Sequence, residues 1–228
     1  MRTSSKVLIL TALMTASLVA GPLWAKNDMP AINAEGMELV KDTKSTTIYS
    51  DPGADLGIYT AVMLSDASVS FKKNWKRDYN RDTRDLAGKV KDSDMDRIKE
   101  GVATIFKQAF TEQLTAGGYK LVDEPGEFVL RVKPAIVDLD VYAPDIRSAS
   151  RSRTYSESVG EMTLNLELYD SLTNDKIVSV RDHKRDLGHG YAQWRTSGKN
   201  KADAQRMMNA WAKAFTESLD EAKASVGK

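Results

Sequence analysis

The stretch 160–170 (GEMTLNLELYD) constrains the fold of this chain more than any other. Met162, Leu164, Leu166 and Leu168 alternate with Glu161, Thr163, Asn165, Glu167 and Tyr169. Successive side chains of a strand point to opposite faces, so this period describes a strand with one apolar and one wet face. A parallel sheet covered on both faces reads instead as a continuous apolar run. The chain therefore needs a sheet with one covered face, and helices to cover it.

Two segments have the period such helices require. Ile98, Val102, Ile105, Phe106, Ala109 and Leu114 recur at helical spacing over about 94–116. Ser93 or Asp94 suits the start of that helix, and Gly117-Gly118 ends it. The second helix is expected over about 200–224, with Ala204, Met207, Met208, Trp211, Ala214, Phe215, Leu219 and Ala222 as its apolar stripe.

The other strands are less regular. A first is expected at about 58–70 (IYTAVMLSDASVS). A second begins near Glu127, where Phe128, Leu130 and Val132 share one parity; beyond Pro134 the apolar set becomes Val137, Leu139 and Val141. A bulge near Pro134 restores a single face. A fourth strand is expected at about 176–187, where Ile177, Val178 and Val180 give way to charge on both faces from Arg181 to Asp186. Such charge suits a sheet edge. The expected class is α+β: a two-layer sandwich, a mostly antiparallel four-stranded sheet with two amphipathic helices on one face, in the order β-α-β-β-β-α. Residues 58–228 form one domain in this reading, preceded by a polar arm at 26–57 rich in Asp, Gly, Pro and Thr.

Residues 1–25 read as a signal peptide. Arg2 and Lys6 precede an apolar run from Val7 to Ala20, Gly21 and Pro22 break it, and Ala25 offers a small residue for cleavage, with Ala20 as the alternative. The run is too short to span a bilayer, which takes roughly 20 residues. The 228 residues include no cysteine, which excludes disulfides, thiolate metal sites and thiol catalysis. The formal charge is +1 at pH 7, so the overall balance gives no argument for a nucleic acid or an anionic membrane as partner.

GYKLVDEPGEFVLRVKPAIVDLD (118–140) and GEMTLNLELYDSLTNDKIVSV (160–180), with VSFKKNW (69–75) before them, resemble the bacterial domain of unknown function 3313 family over about 58–224. The resemblance implies an exported envelope protein, in a family whose members are often lipoproteins. This sequence has no cysteine to lipidate, so the expectation here is a periplasmic protein without a lipid anchor. The resemblance supplies no activity, cofactor or functional residue.

The residues themselves assign no catalytic, cofactor or metal site. His183 and His189 are the two histidines, without an H-x-x-x-H or H-E-x-x-H spacing for a metal, and no G-x-S-x-G turn is present. Asp138 and Asp140 share a strand face, more often simply a wet face than an acid–base pair. The segment 72–91 stands out. Lys72, Lys73, Lys76, Arg77, Arg81, Arg84, Lys89 and Lys91 face Asp78, Asp82 and Asp85, with Trp75 and Tyr79 interleaved. Charge with rings suits an anionic polymer; the plainer alternative is a solvated loop whose Trp75 packs on the core. A second basic segment, 143–158, holds Arg147, Arg151 and Arg153 among serines. The candidate contacts for an anionic ligand are thus Lys72, Lys73, Trp75, Lys76, Arg77, Arg147, Arg151 and Arg153. The leading expectation is a non-catalytic binding or adaptor module. Its partner is an envelope protein or an anionic envelope lipid or polymer, not nucleic acid, and the mature chain has no transmembrane segment. The alternatives are a hydrolase of an envelope polymer and a binder of anionic lipid or polysaccharide through 72–91.

Overall fold

The computed structural model describes residues 29–83, 88–141, 155–156, 160–185, 193–194 and 197–226. The alternating stretch is β8 (Gly160–Asp170), at the centre of the molecule. It pairs antiparallel with β6 (Val129–Val141) on one side and β9 (Lys176–Arg185) on the other. Met162, Leu164, Leu166 and Leu168 are all buried. They share a core with Leu130, Val132 and Ile136 of β6 and with two long helices, α2 (Asp92–Ala116) and α3 (Ser197–Val226). Phe106, Phe110 and Leu114 of α2 and Met208 and Leu219 of α3 are the largest helical side chains wholly or almost wholly removed from water. Burial of each such residue contributes about 1.5–3 kcal/mol.

The class is α+β, but four strands and two helices understate it. The main sheet has eight strands in the order β1 (Glu38–Asp42), β2 (Thr46–Ser50), β9, β8, β6, β3 (Ala61–Leu64) and β5 (Lys120–Leu121), with β4 (Ser68–Phe71) also paired to β6. Residues 26–57, expected to be an arm, contribute the hairpin β1 (Glu38–Asp42) and β2 (Thr46–Ser50). The core-facing positions of β2 are Thr46, Ile48 and Ser50, all buried, and two of them are hydroxyl residues that read as loop. The expected first strand is split into β3 (Ala61–Leu64) and β4 (Ser68–Phe71), both parallel to β6. A two-residue strand, β5 (Lys120–Leu121), joins β3. Beyond the main sheet, β7 (Tyr155–Ser156) and β10 (Gln193–Trp194) form a separate two-stranded ribbon. A third helix, α1 (Trp75–Asp82), sits in the charged connector.

Two further expectations change for physical reasons. The bulge of β6 lies beyond Pro134: the register with β8 shifts between Val137 and Asp140, and Asp138 takes a left-handed φ of 53°. The extra residue returns Leu139 to the buried face. Pro134 needs no bulge, because it falls between the stretch paired with β3 and the stretch paired with β4, where the neighbouring strand is interrupted. The charged strand β9 is not an edge either, since β2 covers it. Its charges divide between the faces. Arg181, His183 and Arg185 point to the open face, whereas Asp182 is 1% exposed beneath α3. Its carboxylate accepts hydrogen bonds from Thr46 Oγ1 at 2.5 Å and from Trp211 Nε1 at 2.6 Å.

Among the described residues no helix is long and apolar enough to cross a membrane.

Candidate functional site

The helices α2 and α3 run side by side in the same direction, and their spacing changes along their length. Toward their C-terminal ends they are locked. Phe110 meets Phe215 with ring centroids 5.8 Å apart, and a Cβ on Gly117 would lie 2.6 Å from Thr216 Cγ2. Toward their N-terminal ends they open over the end of the β6–β8 pair. The resulting cleft encloses about 400 Å³. Ile98, Val102 and Ile105 form one wall, Ala204 and Met207 the other, and Leu139, Val141 and Met162 the floor. Arg97, Gln108, Asp140, Glu161 and Lys201 stand around it, so an apolar hollow has charge of both signs at its edge. Its volume lies in the lower part of the range for small-molecule sites, which are mainly apolar with a few placed polar groups.

Gly101 bears on the purpose of this cleft. It lies in the middle of α2, where glycine costs about 1 kcal/mol relative to alanine. Its φ is not left-handed, and a Cβ there would find nothing within 4 Å. Neither backbone conformation nor tight packing calls for glycine at this position. Its effect is to leave the cleft wider.

The open face of the sheet carries a chain of ion pairs beside the cleft. Lys72 Nζ donates to Asp140 at 3.1 Å and to Glu161 at 3.4 Å. These contacts, Asp140 first, raise the Lys72 pKa above the usual lysine value. Glu161 also lies 3.9 Å from His183 Nε2 and 3.9 Å from Arg185 Nε, and His183 Nδ1 is 3.2 Å from Thr163 Oγ1. Arg181 pairs with Asp138 at 3.3 Å. The two aspartates of β6 are thus separate ion pairs, and the bulge between them breaks the simple two-residue repeat. Among the described residues no group of three or more His, Asp or Glu side chains gathers as metal ligands would.

The structure treats the basic candidates unequally. Trp75 is 6% exposed, stacked between Phe71 at 4.3 Å and Tyr79 at 5.7 Å, and its indole N–H donates to the Val141 carbonyl at 3.3 Å. That ring is part of the packing and presents no free face to a ligand. Lys72, Lys73, Lys76 and Arg77 gather around one hollow together with Lys99 of α2, which the sequence reading did not connect with them. Lys76 is paired with Asp92 at 2.6 Å and Arg77 with Asp78 at 3.0 Å. Arg147, Arg151 and Arg153, like His189 and the leader 1–25, lie outside the described residues. The cleft residues Arg97, Lys201 and Met207 went unflagged as site residues. The sequence signal that could mark them is Gly101, a lone glycine within an apolar helical repeat, which the reading of that helix does not single out.

The family model described as "Protein of unknown function (DUF3313)" matches residues 35–215. No curated protein matches the chain. Among solved structures, the PelC dodecamer from Paraburkholderia phytofirmans is similar at 8% identity and a TM-score of 0.34, over 75% of this chain and 97% of that one. A minor lipoprotein from Acinetobacter baumannii is similar at 13% identity and 0.34, over 75% and 95%. A Xanthomonas campestris protein of family model DUF330 is similar at 12% identity and 0.39, over 78% and 94%. Scores and identities this low carry no statement about ligand, partner or assembly.

Proposed function

The chain belongs to the family described as Protein of unknown function (DUF3313), and on that footing we propose that it is an exported binding module of the cell envelope whose ligand enters the cleft between α2 and α3. The leader-like residues 1–25 support export. The ligand is a small amphipathic molecule. Its apolar chain lies against Val102, Ile105, Met162 and Met207, and its polar end stays among the charges of the rim. Met207 suits this role, because an unbranched thioether side chain adapts to irregular partners. The observation that carries the reading is Gly101: a helix gives up stability at this residue, and the space it leaves is part of the cleft.

The test uses the purified mature protein and a fluorescent single-chain amphiphile, dansyl-undecanoate. Saturable binding is expected, and Gly101→Leu, which puts a side chain into the cleft, is expected to weaken it at least tenfold, about 1.4 kcal/mol. The thermal midpoint of that variant should not fall. Absence of saturable binding, or equal binding by the variant, removes the cleft as the site. The mass of the mature N-terminus in a periplasmic extract tests export separately, and an intact leader in that mass sinks it.

A further inference from the structure

The open face of the sheet has a second place where charge collects, remote in function from the cleft because the sheet lies between them. Tyr169 of β8 is flanked by Arg131, directly opposite on β6, and Lys176, opposite on β9. The Arg131 guanidinium carbon is 5.2 Å from the centre of the Tyr169 ring, Lys133 Nζ is 4.5 Å from it and Lys176 Nζ is 5.7 Å from it. Three cations thus converge on one ring. The nearby carboxylates do not balance them. Glu167 accepts from Lys176 at 2.8 Å and from the Tyr169 hydroxyl at 2.8 Å, and Glu35 accepts from Lys176 at 2.6 Å. Burial opposes the ionised form of Glu167, yet the hydrogen bonds from Lys176 and Tyr169, with the charges of Lys176 and Lys133, outweigh it and hold that carboxyl below its usual range. Both carboxylates are therefore engaged by Lys176, Glu167 also by Tyr169 and the charge of Lys133, and neither pairs with Arg131.

Arg131 has no carboxylate partner among the described residues, whereas Lys133, opposite Glu167 on β8, shares that carboxylate's field with Lys176. On the same face Arg181, Arg185 and Lys72 all have a carboxylate partner. Arg131 Nε and Nη2 are moreover buried and without any acceptor. Together these two nitrogens form the edge of the guanidinium that grips an oxyanion in bidentate fashion. Buried donors in folded proteins are almost always satisfied, and leaving one unsatisfied costs about 1–3 kcal/mol, more when it is charged. Contact with the face of Tyr169 offsets part of this through the ring quadrupole, but a ring does not accept two directional N–H bonds.

We propose that this cluster is an anion site for a phosphate group. When the Arg131 side chain turns outward its fork binds two of the oxygens, Lys133 binds a third, and Tyr169 forms the floor that holds the cations in place. Three cations against two carboxylates leave one positive charge uncompensated, which a phosphate balances, and its oxygen spacing matches the fork. The same chemistry comes from a soluble phosphate or from the headgroup of a phospholipid, and the experiment separates the two.

The purified protein is titrated with inorganic phosphate by calorimetry, and separately with vesicles of phosphatidylglycerol in phosphatidylcholine, against vesicles of phosphatidylcholine alone. Binding in at least one arm is expected, weakened about tenfold or more by Arg131→Gln and clearly weakened by Lys133→Gln. Arg131→Lys keeps the charge but loses the fork and should fall between wild type and Arg131→Gln. Lys133 is exposed, so Lys133→Gln tests the site even where Arg131→Gln folds poorly. Lys107→Gln, at a cation of α2 paired with Asp66, should leave binding unchanged. Phosphate binding points to a soluble ligand, and selective binding of phosphatidylglycerol vesicles to a lipid. No binding in either arm overturns the site, as does binding that the Arg131 and Lys133 variants leave intact or that Lys107→Gln reduces equally.

Discussion

At Gly117 the two long helices leave so little room that a Cβ would stand 2.6 Å from Thr216, whereas at Gly101 the same pair leaves nothing within 4 Å. Two glycines in one helical layer thus serve opposite ends. The first permits close approach and closes the core over Phe110, Phe215 and Leu219. The second keeps a wall of the cleft low where the layer opens. A helix pair designed only for stability would fill the gap with a larger residue, since filling a void gains dispersion contacts and removes a helix-breaking residue. In the reading proposed above, one end of the layer serves a ligand and the other folding stability, and substitutions at either end can break that contrast.

The largest effect is expected from Phe110→Ala. Phe110 is fully buried and stacks on Phe106 with ring centroids 4.1 Å apart. Truncation in a core that cannot collapse costs about 3–5 kcal/mol. Urea denaturation should show the midpoint falling with an unchanged m-value, while the variant, still folded at low denaturant, retains amphiphile binding. A loss below about 1 kcal/mol would mean that this end is loosely packed and that the two ends do not differ as described.

Gly117→Ala comes next, because its cost comes from overpacking, about 1–3 kcal/mol. The residue meets chiefly one atom group, the Thr216 methyl. Thr216→Ser removes that methyl and retains the hydroxyl that donates to the Ala212 carbonyl at 3.1 Å. In the Thr216→Ser background Gly117→Ala should therefore cost much less. Thermal unfolding of the four proteins of this double-mutant cycle measures the coupling, and strict additivity would show that the close approach at Gly117 is not what the substitution disturbs.

Much of this organisation could be read before any coordinates, and the failures follow a pattern. Strict alternation identified β8 because its core side is wholly apolar. The helical stripes of α2 and α3 were legible for the same reason, although α2 starts at Asp92, with Asp94 accepting the Lys91 N–H at 3.0 Å. The hairpin of β1 and β2 was not legible, because Thr46 and Ser50 occupy core-facing positions where a pattern of apolar residues was sought. Burial of Asp182 was hidden likewise. A carboxylate in the run Arg181 to Asp186 looks solvated until its partners Thr46 and Trp211 arrive from elements distant in sequence. Trp75 is the opposite case: a tryptophan among lysines allows either a ligand platform or a ring packed on the core, and Phe71 and Tyr79 enclose it. Site residues were harder still. Composition marks a charged segment, but it does not show that Arg131 lacks a carboxylate while Arg181 and Lys72 have one. That depends on which strand lies beside β6.

The smallest expected effect decides most about the contrast, because its sign differs from the others. Gly101→Ala adds one methyl to the middle of α2, where no atom lies within 4 Å to resist it. Helix propensity then acts alone, and the variant should be more stable by up to about 1 kcal/mol, seen as a rise of a few degrees in the thermal midpoint. The gain should come with slightly weaker amphiphile binding, because the methyl intrudes on the cleft. Stabilisation with weakened binding identifies a residue held at glycine for the ligand. Stabilisation with unchanged binding leaves the cleft without an occupant at Gly101. Destabilisation would show that the helices pack there as closely as they do at Gly117, so that the two ends of the layer are alike.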